Sequence, residues 1–150
     1  MTMTDSIIRP NPDPHAHPEF YQDTVTKRLL AWFVDVAIIA LIALVLSVFT
    51  LFTVLLIFPL FYAVVSFAYR WFTLAGGSAT LGMRVFSLEL RQDDGAPFDA
   101  LTAFLHTAGY FASVAVFPAQ LISIGMMLMT ERRQGLTDTV LGTVAINRRA

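Results

Sequence analysis

The chain has 150 residues, of which 56% are hydrophobic and 14% are charged, and its mean hydropathy is +0.65. A soluble domain carries about 25% charged residues, so this composition indicates one membrane domain without a separate soluble one. The absence of cysteine excludes disulfides, thiolate chemistry and cysteine-ligated metals. The net charge of −1 gives no indication of a nucleic-acid partner, and the lysines and arginines are interpreted as topology signals.

Residues 1–24 form a polar segment that we predict to be a flexible cytoplasmic tail. Regular structure is disfavoured over residues 10–18 by four prolines, Pro10, Pro12, Pro14 and Pro18. Its acidic residues, and the length of the apolar run that follows, argue against a cleaved signal peptide. Residues 25–150 are predicted to form the membrane domain.

Residues 36–69 contain no aspartate, glutamate, lysine, arginine or histidine. About 20 apolar residues suffice to span a bilayer, so this run predicts two helices, one from 29 to about 49 and one from about 53 to 71. The few residues between them leave room only for a turn, which predicts an antiparallel transmembrane hairpin. Gly76-Gly77 is expected to end the second helix.

Residues 78–100 form a polar connection between the apolar tracts. Within it, residues 85–91 alternate imperfectly between apolar and polar side chains and are followed by Asp94-Gly95, a pattern that predicts a short strand and a turn. Residues 143–147 have a similar character. A short cytoplasmic strand pair between these two segments is therefore expected.

The second apolar tract, residues 100–130, leaves two interpretations open. A third full crossing would place Arg132 on the opposite side of the membrane from Lys27 and Arg28, which the positive-inside rule disfavours. A re-entrant or broken helical hairpin that turns near Pro118 keeps these basic residues on the cytoplasmic side, and we favour it slightly. In either case the predicted fold class is an all-α membrane protein.

A charged pair, Arg28 and Asp35, opens the first predicted span. The two residues share a helical face, but seven residues separate them by about 10.5 Å along the axis, too far for direct contact within the helix. A charged residue at the centre of a membrane helix costs about 2.5–3.5 kcal/mol, and less at this depth. We interpret Asp35 first as a structural group that pairs with an arginine or reaches the interface, and second as a proton or cation site.

Two further ionisable residues lie in the C-terminal half. Asp138 follows the basic pair Arg132 and Arg133; from the residues alone we favour a solvated loop carboxylate over one that contacts Arg28. His106 is the only group in the second tract that titrates near neutral pH. We favour a hydrogen-bonded histidine at the interface over a proton carrier.

The sequence contains no catalytic motif that we recognise. There is no P-loop, no Gly-x-Ser-x-Gly and no His-Glu-x-x-His, so we predict that the chain is not an enzyme. We also predict no cofactor and no bound metal. The Asp-x-His-x-His-x-Glu string at residues 13–19 would bind a divalent metal only weakly, because it lies in a proline-broken segment.

Several features in order along residues 25–147 resemble the RDD family of small integral membrane proteins. They are Arg28, Asp35, Gly76-Gly77, the Thr-x-Gly-x-Arg motif Thr80–Arg84, and the closing motif that runs from Arg132-Arg133 through Gly135-Leu136 and Asp138 to Gly142-Thr143. The resemblance implies that Arg28, Asp35 and Asp138 are the trio that gives the family its name. Met83, Thr137 and His106 stand where the family often has Lys, His and Arg.

The sequence as a whole favours a non-enzymatic, multi-pass protein of the bacterial inner (plasma) membrane with a cytoplasmic N-terminus. Its expected partners are the bilayer and either another membrane protein or further copies of itself, so an accessory or interaction component of a membrane complex is our first interpretation. Small side chains on one face of the first span would permit close helix approach: Ala37, Ala40, Ala43 and Ser47. The alternative is an oligomeric transporter of cations, protons or another small ligand that uses Arg28 and Asp35, since ligand transport has been suggested for the family.

Overall fold

The computed structural model describes residues 10–50 and 57–148, and most of these residues are helical. A short 3-10 helix, Pro18–Phe20, comes before the main elements. In chain order these are α1 (Thr24–Phe49), α2 (Phe58–Gly77), α3 (Leu81–Val85), β1 (Leu88–Gln92), α4 (Ala100–Ala115), α5 (Phe117–Met129), α6 (Leu136–Leu141) and β2 (Thr143–Asn147).

The helical stretch Pro18–Phe49, which contains α1, is long and apolar enough to cross a membrane. Only a narrow face of α1 is buried. Beyond Thr24, the first residue of the helix, its buried residues recur every fourth position: Ala31, Asp35, Ile39, Ala43 and Ser47. Residues four apart lie on one side of a helix, so this stripe is the side that packs against the rest of the protein. Ala37 and Ala40, expected on the same packing face, are exposed.

The second helix, α2, begins at Phe58, so Pro59 lies in its first turn instead of its interior. A proline in the first turn removes no helical hydrogen bond, because that N–H has no partner within the helix. The predicted start near residue 53, and the turn before it, fall within residues 51–56 and lie outside the described residues. The helix ends at Gly77, as expected from Gly76-Gly77.

The second apolar tract does not form one straight helix. It breaks at Val116 into α4 and α5, whose axes are bent by 116° relative to each other. Pro118 lies in the first turn of α5, where it disfavours a continuous helix through the break. The bend fits a broken crossing as well as a re-entrant pair, and excludes a plain straight span through these residues.

The two short strands pair antiparallel, with Leu90 opposite Ala145, which confirms the predicted contact between these segments. The first strand begins at Leu88 and not at residue 85, because residues 81–85 form α3. One face of the pair packs on Leu74 of α2, on Phe98 in the loop before α4, and on Ala103 of α4.

The described part of the predicted tail lies against the strand pair. Tyr21 is buried beside Val144 and Ile146, and its hydroxyl donates a hydrogen bond to the carbonyl of Pro12 at 2.6 Å. The side-chain amide of Asn147 donates to the carbonyl of Glu19 at 2.9 Å. Residues 10–22 thus make specific contacts where we expected a flexible segment, since an aromatic side chain can be buried on the second face of the strand pair.

Candidate functional site

The carboxylate of Asp35 is buried between α1, α2 and the start of α3. Its Oδ1 accepts hydrogen bonds from the Tyr69 hydroxyl at 2.7 Å and from the Gly82 N–H at 2.8 Å. Its Oδ2 accepts one from the Thr80 hydroxyl at 2.6 Å. All three donors are neutral, and no arginine or lysine of residues 10–50 and 57–148 forms an ion pair with this carboxylate.

The Thr80-Leu81-Gly82 segment is shaped to meet Asp35. Thr80 caps the N-terminus of α3 by accepting a hydrogen bond from the Met83 N–H at 3.2 Å while it donates to Asp35. The Tyr69 hydroxyl likewise accepts from the Leu81 N–H at 3.2 Å. A Cβ on Gly82 would collide with the Ala31 carbonyl oxygen and lie 2.7 Å from Asp35 Oδ1, so the approach requires glycine.

The carboxylate of Asp138 is buried where α1, α4, α6 and β2 meet. Arg28 Nη1 on α1 lies 2.7 Å from Oδ2, and His106 Nε2 on α4 lies 2.9 Å from Oδ1. The Thr143 hydroxyl donates to Oδ1 at 3.0 Å, and the Gly135 N–H donates to Oδ2 at 3.1 Å. Asp138 therefore connects elements that are far apart in the sequence.

Local structure places the Asp138 side chain in this position. Asp138 is the third residue of α6, from which a carboxylate reaches back to the N–H of the residue before the helix. Gly142 then ends α6 with φ of +65°, a conformation that favours glycine, and turns the chain so that Thr143 at the start of β2 faces Asp138.

The electrostatics of Asp138 favour its charged form. Burial alone would raise the pKa of this carboxyl, but the charge of Arg28 and the contact with His106 outweigh burial and hold the pKa well below its usual range. The Asp138 side chain is 1% exposed and the Arg28 side chain 14% exposed. The pair is therefore an ionised contact shielded from solvent.

The structure divides the predicted trio into two sites. Arg28 and Asp138 are in direct contact, which was the alternative that we did not favour from the residues alone. The favoured interpretation of Asp138 as a solvated loop carboxylate is wrong, because α6 and β2 bury it. Arg28 does not pair with Asp35, as their seven-residue spacing predicted. Asp35 also has no arginine partner among the described residues, so its contacts differ from the pairing we expected.

Four further basic residues from the sequence analysis also lie in different places: Arg84, His106, Arg132 and Arg133. His106 is a member of the Asp138 site, and its ring lies 5.4 Å from that of Phe98. Arg84 is exposed and lies beside Gly77, outside both carboxylate sites. Arg132 pairs with Asp93 at 3.1 Å, and Arg133 donates to the Leu128 carbonyl at the end of α5. These three arginines are peripheral to both sites.

Both sites border one cavity of about 440 Å³. Its charged and titratable wall consists of Arg28, Asp35, Arg70, Tyr110, His106 and Asp138. Sequence reasoning missed Tyr69, Arg70 and Thr143 as members or neighbours of these sites. The closing motif contained Thr143 but did not indicate its contact with Asp138, and the aromatic and basic character of residues 69–71 gives no direction for any side chain.

The fold is mostly helical and contains an apolar helix long enough to cross a bilayer, as a membrane-associated protein would. The model of the RDD family matches residues 23–142. The chain therefore belongs to the RDD family, which confirms the resemblance. No curated protein and no solved structure matches it.

Proposed function

We propose that this chain is a non-enzymatic, multi-pass protein of the bacterial inner membrane that acts as an interaction component of a membrane complex. The observation that supports this proposal is that Arg28, Asp35 and Asp138 use their polar groups within the chain. Polar groups that are paired within the chain stabilise its fold. The function then depends on the surface that the fold presents.

Contacts between distant elements support a topology with two crossings and one re-entrant pair. Asp35 in the first half of α1 meets Tyr69 in the second half of α2 and Thr80 just after α2 ends, as expected for an antiparallel hairpin. Arg132, just after α5, pairs with Asp93, which comes before α4. Both ends of the α4–α5 pair are thus near the strand pair, and the positive-inside rule favours the cytoplasm for that side.

The exposed face of α1 supports contact with another membrane helix. Ala37 and Ala40 are exposed, although small side chains let helix backbones approach closely in a bilayer. Large apolar side chains surround them, Leu41 and Leu44 among them. This face is suited to a helix of a partner protein or of another copy.

Affinity isolation of the tagged protein from its native membrane in mild detergent, followed by mass spectrometry, tests the proposal. We expect a stoichiometric membrane-protein partner that is lost when Ala37 and Ala40 are both changed to Leu. Val64→Leu enlarges an exposed apolar side chain on α2 instead of α1, so it is the matched control and keeps the partner. Recovery of the chain only with itself would contradict the accessory role.

Transport is the second candidate, because Asp35 and His106 both border the cavity. Cation and proton flux in proteoliposomes distinguishes it from the first. The interaction role predicts background flux for the wild type and for Asp35→Asn alike. Flux in the wild type that is abolished in Asp35→Asn would instead favour an oligomeric transporter.

A further inference from the structure

Arg70 on α2 is a buried arginine whose guanidinium has no anionic partner among the described residues. The residue is 8% exposed and borders the cavity. Its guanidinium carbon lies 4.3 Å from the centre of the Tyr110 ring, and its Nε has no hydrogen-bond partner. A stacked ring stabilises the charge but accepts none of its N–H groups in the plane of the guanidinium.

The other charges on the cavity wall do not supply the missing acceptor. Asp35 accepts its hydrogen bonds from Tyr69, Thr80 and Gly82, and Asp138 is paired with Arg28 and His106. Neither carboxylate forms a hydrogen bond or an ion pair with Arg70 among the described residues. A buried donor left without an acceptor is costly, and more so when it is charged. The cavity therefore lacks an acidic acceptor beside Arg70.

The remaining cavity wall is largely apolar. Its volume of about 440 Å³ falls in the range of about 300–1,000 Å³ that is usual for small-molecule sites. The apolar side chains that border it are Val25, Leu29, Trp32, Leu74, Met83, Ile124 and Met127. Such a wall suits a hydrocarbon chain, and it would not stabilise a free, fully hydrated anion.

We propose that this cavity binds an acidic amphiphile, meaning a carboxylate or phosphate group attached to an apolar chain, with the acidic group on Arg70. A guanidinium presents paired N–H donors that match two oxygens of a carboxylate or phosphate. The Tyr110 ring packs against one side of the guanidinium, and the apolar wall contacts the hydrocarbon chain of the ligand. This site goes beyond the proposed interaction role and depends on neither a protein partner nor transport.

Photo-crosslinking to the full-length protein in a neutral detergent tests the site. The probe is a fatty acid with a diazirine on its chain, and labelled peptides are located by mass spectrometry. We expect labels on α1 and α5 residues that border the cavity. Oleate and oleoyl lysophosphatidate should compete, whereas methyl oleate and inorganic phosphate should not. If methyl oleate competes as well as oleate, the acidic group is not needed for binding, and the proposal is overturned. If inorganic phosphate competes, the site binds a soluble anion, and the proposed apolar chain is overturned.

Substitutions of Arg70 test its role. Arg70→Gln should weaken competition by oleate roughly tenfold or more, and Arg70→Lys should restore part of it, because lysine keeps the charge without the paired donors. Arg84→Gln removes the same charge from an exposed position outside the cavity and should leave labelling unchanged. Unchanged competition in a folded Arg70→Gln protein would overturn the assignment. If that variant fails to fold, the comparison of oleate with methyl oleate on the wild type still decides.

Discussion

Asp35 and Asp138 are both buried, but their partners differ in charge. Asp138 faces Arg28 and His106, whereas Asp35 faces two hydroxyls and one backbone N–H. Removing one member of a buried ion pair costs about 3–5 kcal/mol, because the other charge is left uncompensated. The Asp35 site depends instead on the close approach of the Gly82 backbone to α1, since the Gly82 N–H is one of its three donors.

Gly82→Ala should therefore destabilise the protein. The added methyl group would collide with the Ala31 carbonyl and press on Asp35, and such overpacking costs about 1–3 kcal/mol. We expect a lower thermal midpoint in detergent, measured by circular dichroism. Gly76→Ala is the control: its methyl group would meet nothing within 4 Å, and alanine is the better helix former. Equal midpoints for both variants would contradict the close approach.

The depressed pKa of Asp138 predicts acid sensitivity. A carboxyl whose pKa is lower in the folded state contributes stability that is complete above its unfolded pKa, about 3.9, and that is lost as the pH falls through the folded pKa. The thermal midpoint of the wild type should therefore fall below about pH 4. Asp138→Asn starts from a lower midpoint and should lose less over this pH range. If the thermal midpoints of the two proteins fell equally with pH, other carboxyl groups would control the acid response.

At the scale of the elements, the strongest local patterns in the sequence were sufficient to predict several helices and strands. The uncharged run predicted a long first helix, Gly76-Gly77 marked the end of α2, and alternation near residue 88 predicted the strand that pairs with residues 143–147. These signals are local, because each depends on neighbouring residues in one segment. The helical content and the strand pair followed from them.

The candidate site was harder to predict, because its contacts join residues far apart in the chain. Arg28 and Asp138 are 110 positions apart, and Asp35 and Thr80 are 45 apart. Spacing within one helix showed that Arg28 and Asp35 do not touch, but it could not identify the partners on other elements. The family motif pointed to Asp138, whereas nothing local indicated that α6 and β2 bury it.

The orientation of the α4–α5 pair makes a separate prediction at this scale. The chain has no cysteine, so single cysteines report exposure to a membrane-impermeant maleimide without background. The proposed re-entrant pair predicts that Asp94→Cys and Glu131→Cys react only after the membrane is permeabilised. Thr50→Cys at the end of α1 should react in intact cells once the outer membrane is opened, which makes it the control. If the cysteines of Asp94→Cys and Glu131→Cys were labelled from opposite sides, the α4–α5 pair would cross the membrane.

At the scale of the whole molecule, the two carboxylate sites connect helices that differ in their exposure. One narrow stripe of α1 is buried, and the other side chains from Leu29 onward are mainly apolar and exposed or half-buried, which suits lipid or another helix. The hydrophobic effect between helices is weak in a bilayer, so packing and polar contacts assume a larger share of the stability. We infer that Arg28 with Asp138, and Asp35 with its three donors, hold α1 to the remaining elements.

The most direct test of this inference is a set of thermal midpoints for Arg28→Gln, Asp138→Asn and the double variant, with Arg84→Gln as the control for charge. If the two side chains stabilise the fold through their contact, each single change should lower the midpoint. The double variant should then lose clearly less than the sum of the single losses, since coupled contacts show interaction energies of about 0.5–3 kcal/mol. Arg84→Gln should melt like the wild type. Strictly additive losses, or single variants as stable as the wild type, would contradict the account.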